Sequence, residues 1–473
     1  MNVCLLNDSF PPVIDGVVNV VMNYANYLTQ DHHAAVVVGT LRYPDADYGQ
    51  YPYPVVAYPS FDTAAVASGY RAGNPFGGEA LGELAGFQPE IIHSHCPASS
   101  TIVARLLREK TEAPVVFTYH TKYDIDIRRV IHARLAAHEA IAAMVNNIEA
   151  CDEVWTVSRG AGESLKALGF RGDYRVMANG VDFPRGRVPE AKVVEATAGW
   201  DLPEGVPVFL FVGRLMTYKG LPLILEALKL LADRGRDFRM VFVGKGPDRE
   251  LLEDKARALG LMDSADGPDR CFFTGPIYDR DVLRAWNTRA DLFLFPSTFD
   301  TNGLVVREAA ACGLGSVLIR GSCAAEGVTD GHNGFTIDET PEALAALLEK
   351  VSGDLDCLRQ VGDRAMEELY LSWQDCVAQA YERYQAILEE KARGALPLRK
   401  KLPADWLVSL TAKTMEERAR RRRVYRELFR NFRETAVGMM ENIQEAEETA
   451  EHFLDRLSGE LHRGPGRGRG RKE

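Results

Sequence analysis

Short, unbroken runs of apolar residues punctuate this chain. They include Val3-Cys4-Leu5-Leu6, Ile91-Ile92, Val115-Val116-Phe117, Phe209-Leu210-Phe211-Val212, Met240-Val241-Phe242-Val243, Phe272-Phe273 and Leu292-Phe293-Leu294-Phe295. Continuous rather than alternating runs of this length predict strands buried on both faces, as in parallel sheets. Helix-period stretches lie between them, such as Val20, Val21, Tyr24 and Leu28. Strand and helix in alternation imply a doubly wound α/β architecture, and the pattern occurs twice. The first unit is expected over residues 1–185 and the second over 186–375, with turn residues marking the connection from Pro184 to Gly205.

The candidate chemistry gathers where strands end. After Ala290–Ser297 comes Asp300-Thr301-Asn302-Gly303-Leu304-Val305-Val306-Arg307-Glu308, with Arg307 to Gly313 reading as the first turns of a helix. A loop that runs from a strand end into a helix start presents free backbone N–H groups, and Gly303 lets a phosphate approach them. Asp300 and Glu308 then suit two hydroxyl-rich ends of one ligand, a sugar at Asp300 and a ribose at Glu308, with a diphosphate between. Read alone, these nine residues are equally compatible with two surface acids at a turn.

The rest of the chain supplies partners for such a ligand. Gly213-Arg214-Leu215 and Lys219-Gly220 put two cations on one turn, spaced to clamp a diphosphate. Pro11-Pro12-Val13-Ile14-Asp15-Gly16-Val17-Val18 is a loop after the first strand, with Gly16 as its candidate contact. Pro114–Lys122 delivers His120 to a carboxyl end, where open α/β sheets bind ligands. His93 and His95 also end a strand, but no acidic or Cys partner stands at a ligand spacing, so both read as structural or cleft-lining.

These motifs, in this order, resemble family 4 retaining glycosyltransferases of the GT-B fold. In that family two acids with seven residues between them follow a Gly-Arg…Lys-Gly turn. Two departures stand out: the first acid is Asp300 where Glu is usual, and Asn302 replaces the commoner Phe. Thr301-Asn302-Gly303 is similar to the form found in bacterial diacylglycerol glucosyltransferases. The resemblance implies catalytic roles for His120 and Asp300, with His120 facing the donor sugar. It implies donor-binding roles for Gly16, Arg214, Lys219, Asn302, Gly303, Leu304 and Glu308. It implies no metal and no cofactor beyond the nucleotide-sugar substrate, and it places Ile277 and Tyr278 near the nucleotide base. It also implies that a helix over 376–393, opened by Trp373 and Cys376, crosses back onto the first unit. About four fifths of the chain is covered.

Composition adds bounds. With 473 residues the chain is long enough for two large domains and an appendage. Its eight cysteines form no Cys-x-x-Cys pair, and no basic, apolar leader precedes the first strand. A reduced, cytoplasmic protein is the expectation. The net charge of −11 is uneven: residues 391–473 hold +7 and the remainder −18. An acidic body argues against nucleic acid as a partner.

The extension over 394–473 reads as helical with a disordered end. A heptad seam runs through Phe429, Phe432, Ala436, Met439, Ile443, Ala446, Ala450, Phe453 and Leu457. An arginine block from Arg418 to Arg430 precedes it, beside Trp406, Leu407 and Leu410, and Lys122, Arg128, Arg129 and Arg134 extend the basic character. The tail offers two expected partners, an anionic membrane face and a second copy of the chain.

The expected activity is transfer of a hexose, taken as glucose from UDP-glucose, to a hydroxyl acceptor of the diacylglycerol type, on the inner face of a membrane. The same motifs are compatible with a soluble or polysaccharide acceptor, a UDP-sugar epimerase, or a sugar-nucleotide-binding scaffold without turnover.

Overall fold

Each apolar run becomes a strand of one of two parallel sheets. A computed structural model describes residues 1–62, 71–131, 133–263 and 267–396. The first sheet runs Val55–Tyr58, Ala35–Leu41, Asn2–Leu6, Ile91–Ser94, Val115–Tyr119, Glu153–Thr156, Arg175–Val176. The second runs Cys271–Gly275, Arg239–Val243, Val208–Val212, Leu292–Phe295, Ser316–Ile319, Phe335–Ile337. Every neighbouring pair in both sheets is parallel. These are two Rossmann-like, doubly wound domains.

In each sheet the strand order reverses between the first strand and the fourth in space, which opens a crevice at their carboxyl ends. In the first domain Asn7 to Gly16 and His95 leave those ends, and His120 leaves the next. In the second domain Arg214 and the Asp300 loop leave them. The topology therefore aims the two groups of candidate residues at two crevice rims.

The helix Trp373–Ala392 packs on the first domain although it follows the second in sequence. Trp373, Val377, Tyr384 and Ile387 are buried among Val3, Val21, Tyr24 and Trp155. Burial of four such side chains favours docking by roughly 1.5–3 kcal/mol each before ordering costs. Tyr384 stacks on Trp155 with ring centroids 5.4 Å apart. Ser372 bridges to Val181, so the outward and the returning crossings lie side by side.

The helix expected from Arg307 begins earlier, at Leu304, and ends at Ala311. Gly303 precedes it at φ +56, a left-handed conformation that turns the chain into the helix within one residue. Among the described residues no helix is long and apolar enough to cross a membrane. The heptad seam and the arginine block lie outside the described residues, as does the side chain of Arg129.

Candidate functional site

In the second domain the site begins with a backbone constraint. The strand Val208–Val212 ends at Gly213, and the chain then makes a single turn over Thr217–Lys219 before the helix Leu221–Asp233. Gly220 joins turn to helix at φ +79, and a β-carbon there would lie 2.3 Å from the Pro296 carbonyl oxygen. Only glycine permits that approach, which holds Lys219 against the end of the strand Leu292–Phe295. Lys219 is 7 % exposed. Its ammonium is ion-paired with Asp300 and sits 5.6 Å from the centroid of the Phe295 ring. Ser297 Oγ donates to the other oxygen of Asp300 at 2.6 Å.

The structure therefore modifies the expectation of a two-cation clamp. Lys219 and Arg214 are not equivalent free cations: Lys219 neutralises Asp300, whereas Arg214 is exposed with no ion-pair partner among the described residues. The physical reason is burial: an ammonium this nearly enclosed would be costly to leave uncompensated, and Asp300 supplies the counter-charge. Glu308 accepts from Arg280 at 3.2 Å, and the Arg280 guanidinium lies over the Phe183 ring at 4.4 Å. Burial pushes the Glu308 carboxyl upward from its ordinary range, and Arg280 opposes that shift.

The first domain presents a different surface. His120 follows the strand Val115–Tyr119 and His95 follows Ile91–Ser94, both buried. His95 Nδ1 and His120 Nε2 are 3.0 Å apart. Behind them His93 reaches Tyr384 Oη at 2.5 Å and Thr118 Oγ1 at 2.7 Å. Burial holds all three imidazoles below their usual range, His120 at about 3 and His93 and His95 well down, so all three are neutral at pH 7. Among the described residues His120 Nδ1 and His95 Nε2 have no hydrogen-bond partner.

Gly16 opens the helix Gly16–Gln30, whose cap is Asp15. The Asp15 carboxylate accepts from the N–H groups of Val17 and Val18 at 2.9 and 2.8 Å, and from Ser9 Oγ at 2.9 Å. A β-carbon on Gly16 would meet nothing within 4 Å, so the space beside it is open.

Several hydrogen bonds tie the two surfaces together. Thr301 Oγ1 donates to the His120 carbonyl at 2.6 Å, and the Thr301 carbonyl accepts from Ser158 Oγ at 2.6 Å. Lys122 Nζ reaches the Thr298 carbonyl at 3.3 Å. Glu326 of the second domain accepts from the N–H groups of Arg159 and Gly160, at 2.7 and 2.5 Å, at the start of the helix Arg159–Ala167. Asn302 and Gly303 line a small cleft beside these contacts, shared with Ser158, Arg307 and Glu326. Asn302 Nδ2 has no partner there.

The fold thus brings Lys219, Asp300 and His120 into one connected set. No hydrogen bond or ion pair among the described residues joins Gly16, Arg214 or Glu308 to it. Leu304 is the first residue of the helix after Gly303. Sequence reasoning did not find Thr301, Ser158 or Glu326 as bridges between domains, because only the tertiary fold sets them opposite their partners. Among the described residues no group of three or more His, Cys, Asp or Glu side chains is placed to hold a metal ion.

Comparison with known proteins follows this division into two domains. The family model Glycosyltransferase Family 4 matches residues 14–185, and Glycosyl transferases group 1 matches residues 195–367. The chain is 26% identical to sulfoquinovosyl transferase SQD2 of Arabidopsis thaliana, over 72% of this chain and 61% of that protein. It is 24% identical to an alpha-monoglucosyldiacylglycerol synthase of Streptococcus pneumoniae, over 66% of this chain and 70% of the relative. It is 26% identical to a GDP-mannose-dependent alpha-mannosyltransferase of Corynebacterium glutamicum, over 75% and 81%. Among solved structures, Anabaena HepE in complex with UDP superposes with a TM-score of 0.64 at 17% identity, over 82% of this chain and all of HepE.

Proposed function

Since the chain belongs to the family 4 glycosyltransferases and has their two-domain GT-B fold, we propose that it moves glucose from UDP-glucose to the hydroxyl of a diacylglycerol-type lipid, with retention at the sugar carbon. The observation that carries the reading is the junction at Thr301. It places the Asp300 carboxylate, on the second domain, one residue from a hydrogen bond to the His120 carbonyl, on the first. A sugar held at that junction would meet both residues.

In this reading Asp300 orients donor hydroxyls, and Lys219 is its ion-pair partner in a partly enclosed site. Arg214 and the N–H groups at the start of the helix Leu304–Ala311 take up charge on the leaving diphosphate, without a metal. Glu308 binds the ribose once Arg280 yields one of its contacts. In transfer, the bond from the sugar carbon to the phosphate oxygen breaks and a bond to the acceptor oxygen forms on the same face. The acceptor proton passes to the departing phosphate. The lipid acceptor is supported by the similarity to the streptococcal synthase and by the basic composition of residues 391–473.

The mannosyl relative favours a second reading, with GDP-mannose as donor. One assay separates the two. Purified protein is incubated with radiolabelled UDP-glucose or GDP-mannose, diacylglycerol vesicles and EDTA, and the products are partitioned between solvent and water. Label from UDP-glucose in the organic phase is the expected result. Label from GDP-mannose alone would overturn the donor, and label confined to water would overturn the acceptor.

A further inference from the structure

The paired rings of His95 and His120 have a geometry that stacking does not explain. Their centroids are 5.2 Å apart and their planes differ by 19°. Two imidazoles face to face would be closer, whereas two nearly coplanar rings joined edge to edge by a nitrogen-to-nitrogen contact of 3.0 Å have this separation. The contact is therefore an N–H···N hydrogen bond, and it needs one proton between two neutral rings.

That single proton has two possible homes. If His95 donates from Nδ1, its Nε2 carries a bare lone pair and His120 carries its hydrogen on Nδ1. If His120 donates from Nε2, His95 carries a hydrogen on Nε2 and His120 Nδ1 is bare. His95 is 0 % exposed and its Nε2 has no partner. A stranded buried donor is rarer and costlier than a stranded acceptor. His120 Nδ1 is likewise buried and without a partner among the described residues, so each arrangement strands one donor until a ligand oxygen meets His120 Nδ1, and the first arrangement then prevails.

We propose that His95 is a positioning residue for His120: by donating from Nδ1 it keeps the hydrogen of His120 on Nδ1, so that His120 presents a donor to an oxygen of the bound ligand. The partner is a sugar hydroxyl or a phosphate oxygen, both of which accept, and an approaching cation or N–H group is disfavoured. His93 packs against His95 with ring centroids 4.0 Å apart, and it is itself held at both nitrogens by Tyr384 and Thr118, so the His95 ring has little freedom to turn away. This inference rests on the proposed donor-sugar site for the ligand that selects the tautomer, but not for the N–H···N bond between the two rings.

The test separates those two dependencies. Protein with 15N-labelled histidine is examined by two-bond proton–nitrogen correlation, with signals assigned by His95→Asn and His120→Asn. The expected spectrum shows a protonated-type Nδ1 and a bare-type Nε2 on His120, and a bare-type Nε2 on His95, sharpening with UDP-glucose. A bare Nδ1 on His120 in the presence of bound nucleotide sugar would overturn the proposal, and this readout needs no turnover. In the transfer assay, His95→Asn retains an N–H donor near the position of Nδ1 and should keep kcat within a few-fold. His95→Leu should lose about ten-fold in kcat at unchanged donor KM. Wild-type rates in a folded Leu variant, or equal losses in folded Leu and Asn variants, would overturn it. A Leu variant that fails to fold leaves the Asn variant and the spectrum to decide.

Discussion

The two rims of the crevice are built from opposite electrostatics. On the second domain the working groups are charged and paired, Lys219 with Asp300 and Arg280 with Glu308. On the first domain they are histidines buried until they are neutral, joined to one another and to Tyr384 and Thr118 by hydrogen bonds. The difference teaches how the labour is divided. In the proposed reading Asp300 and Glu308 meet ligand hydroxyls from charges already compensated when the ligand is absent, so that binding exchanges partners rather than exposing bare ions. Arg214, without an ion-pair partner among the described residues, is left for the diphosphate. A sugar needs directional donors and acceptors of fixed orientation, which neutral rings locked in a core supply at little cost in desolvation.

The comparison can be broken most directly at Asp300. Asp300→Asn should lower kcat about a hundred- to a thousand-fold, because it removes the carboxylate and leaves Lys219 enclosed without its counter-ion. Steady-state transfer assays check this, and a near-normal rate would mean that the charged rim serves only to hold the fold. Gly220→Ala comes next, with a loss of about 2–4 kcal/mol of stability, since the new methyl collides with the Pro296 carbonyl. Chemical denaturation measures it, and a neutral result would show that the turn can relax away from Lys219.

Thr301→Val keeps the shape of the side chain and deletes its donor to His120. The expected cost is about ten-fold in kcat, restored by Thr301→Ser. Equal rates for the Val and Ser variants would show that the domains meet without help from this contact.

The mildest test is pH. The imidazoles of His93, His95 and His120 have folded values below the unfolded value of about 6.5, so below pH 6.5 the unfolded chain binds protons that the folded one refuses. Stability from these groups is complete above about pH 6.5 and declines as pH falls toward the folded value of His120, about 3. Glu308, shifted upward, works in the other direction through its own range. Calorimetry should find Tm falling from pH 6.5 to 5 by a few degrees, and a flat profile over that window would contradict burial of neutral rings.

Seven strands of the two sheets were legible because a run such as Phe209–Val212 or Leu292–Phe295 is apolar on both faces, whereas others, such as Ala35–Leu41 and Ser316–Ile319, were not picked out. Short polar strands such as Ser60–Asp62 and Arg71–Gly73 carry no such signature and were not foreseen. At the site, the acidic loop and the Lys219-Gly220 turn announced themselves through glycine and charge at strand ends. The pairing of Lys219 with Asp300 did not, since 81 residues separate the partners and only the sheet order makes them neighbours. His95 was visible as a strand-end residue, but its bond to His120 depends on two adjacent strands delivering rings to the same depth.

The helix Trp373–Ala392 has a further consequence for anyone cutting the chain. The first domain is not a contiguous stretch of sequence: a fragment ending near residue 185 would lack Trp373, Val377, Tyr384 and Ile387, exposing Trp155 and Tyr24 to water and depriving His93 of its phenol. A domain exchange with a related protein therefore has to graft two segments, one from each side of the second domain. A single junction would transplant an incomplete core.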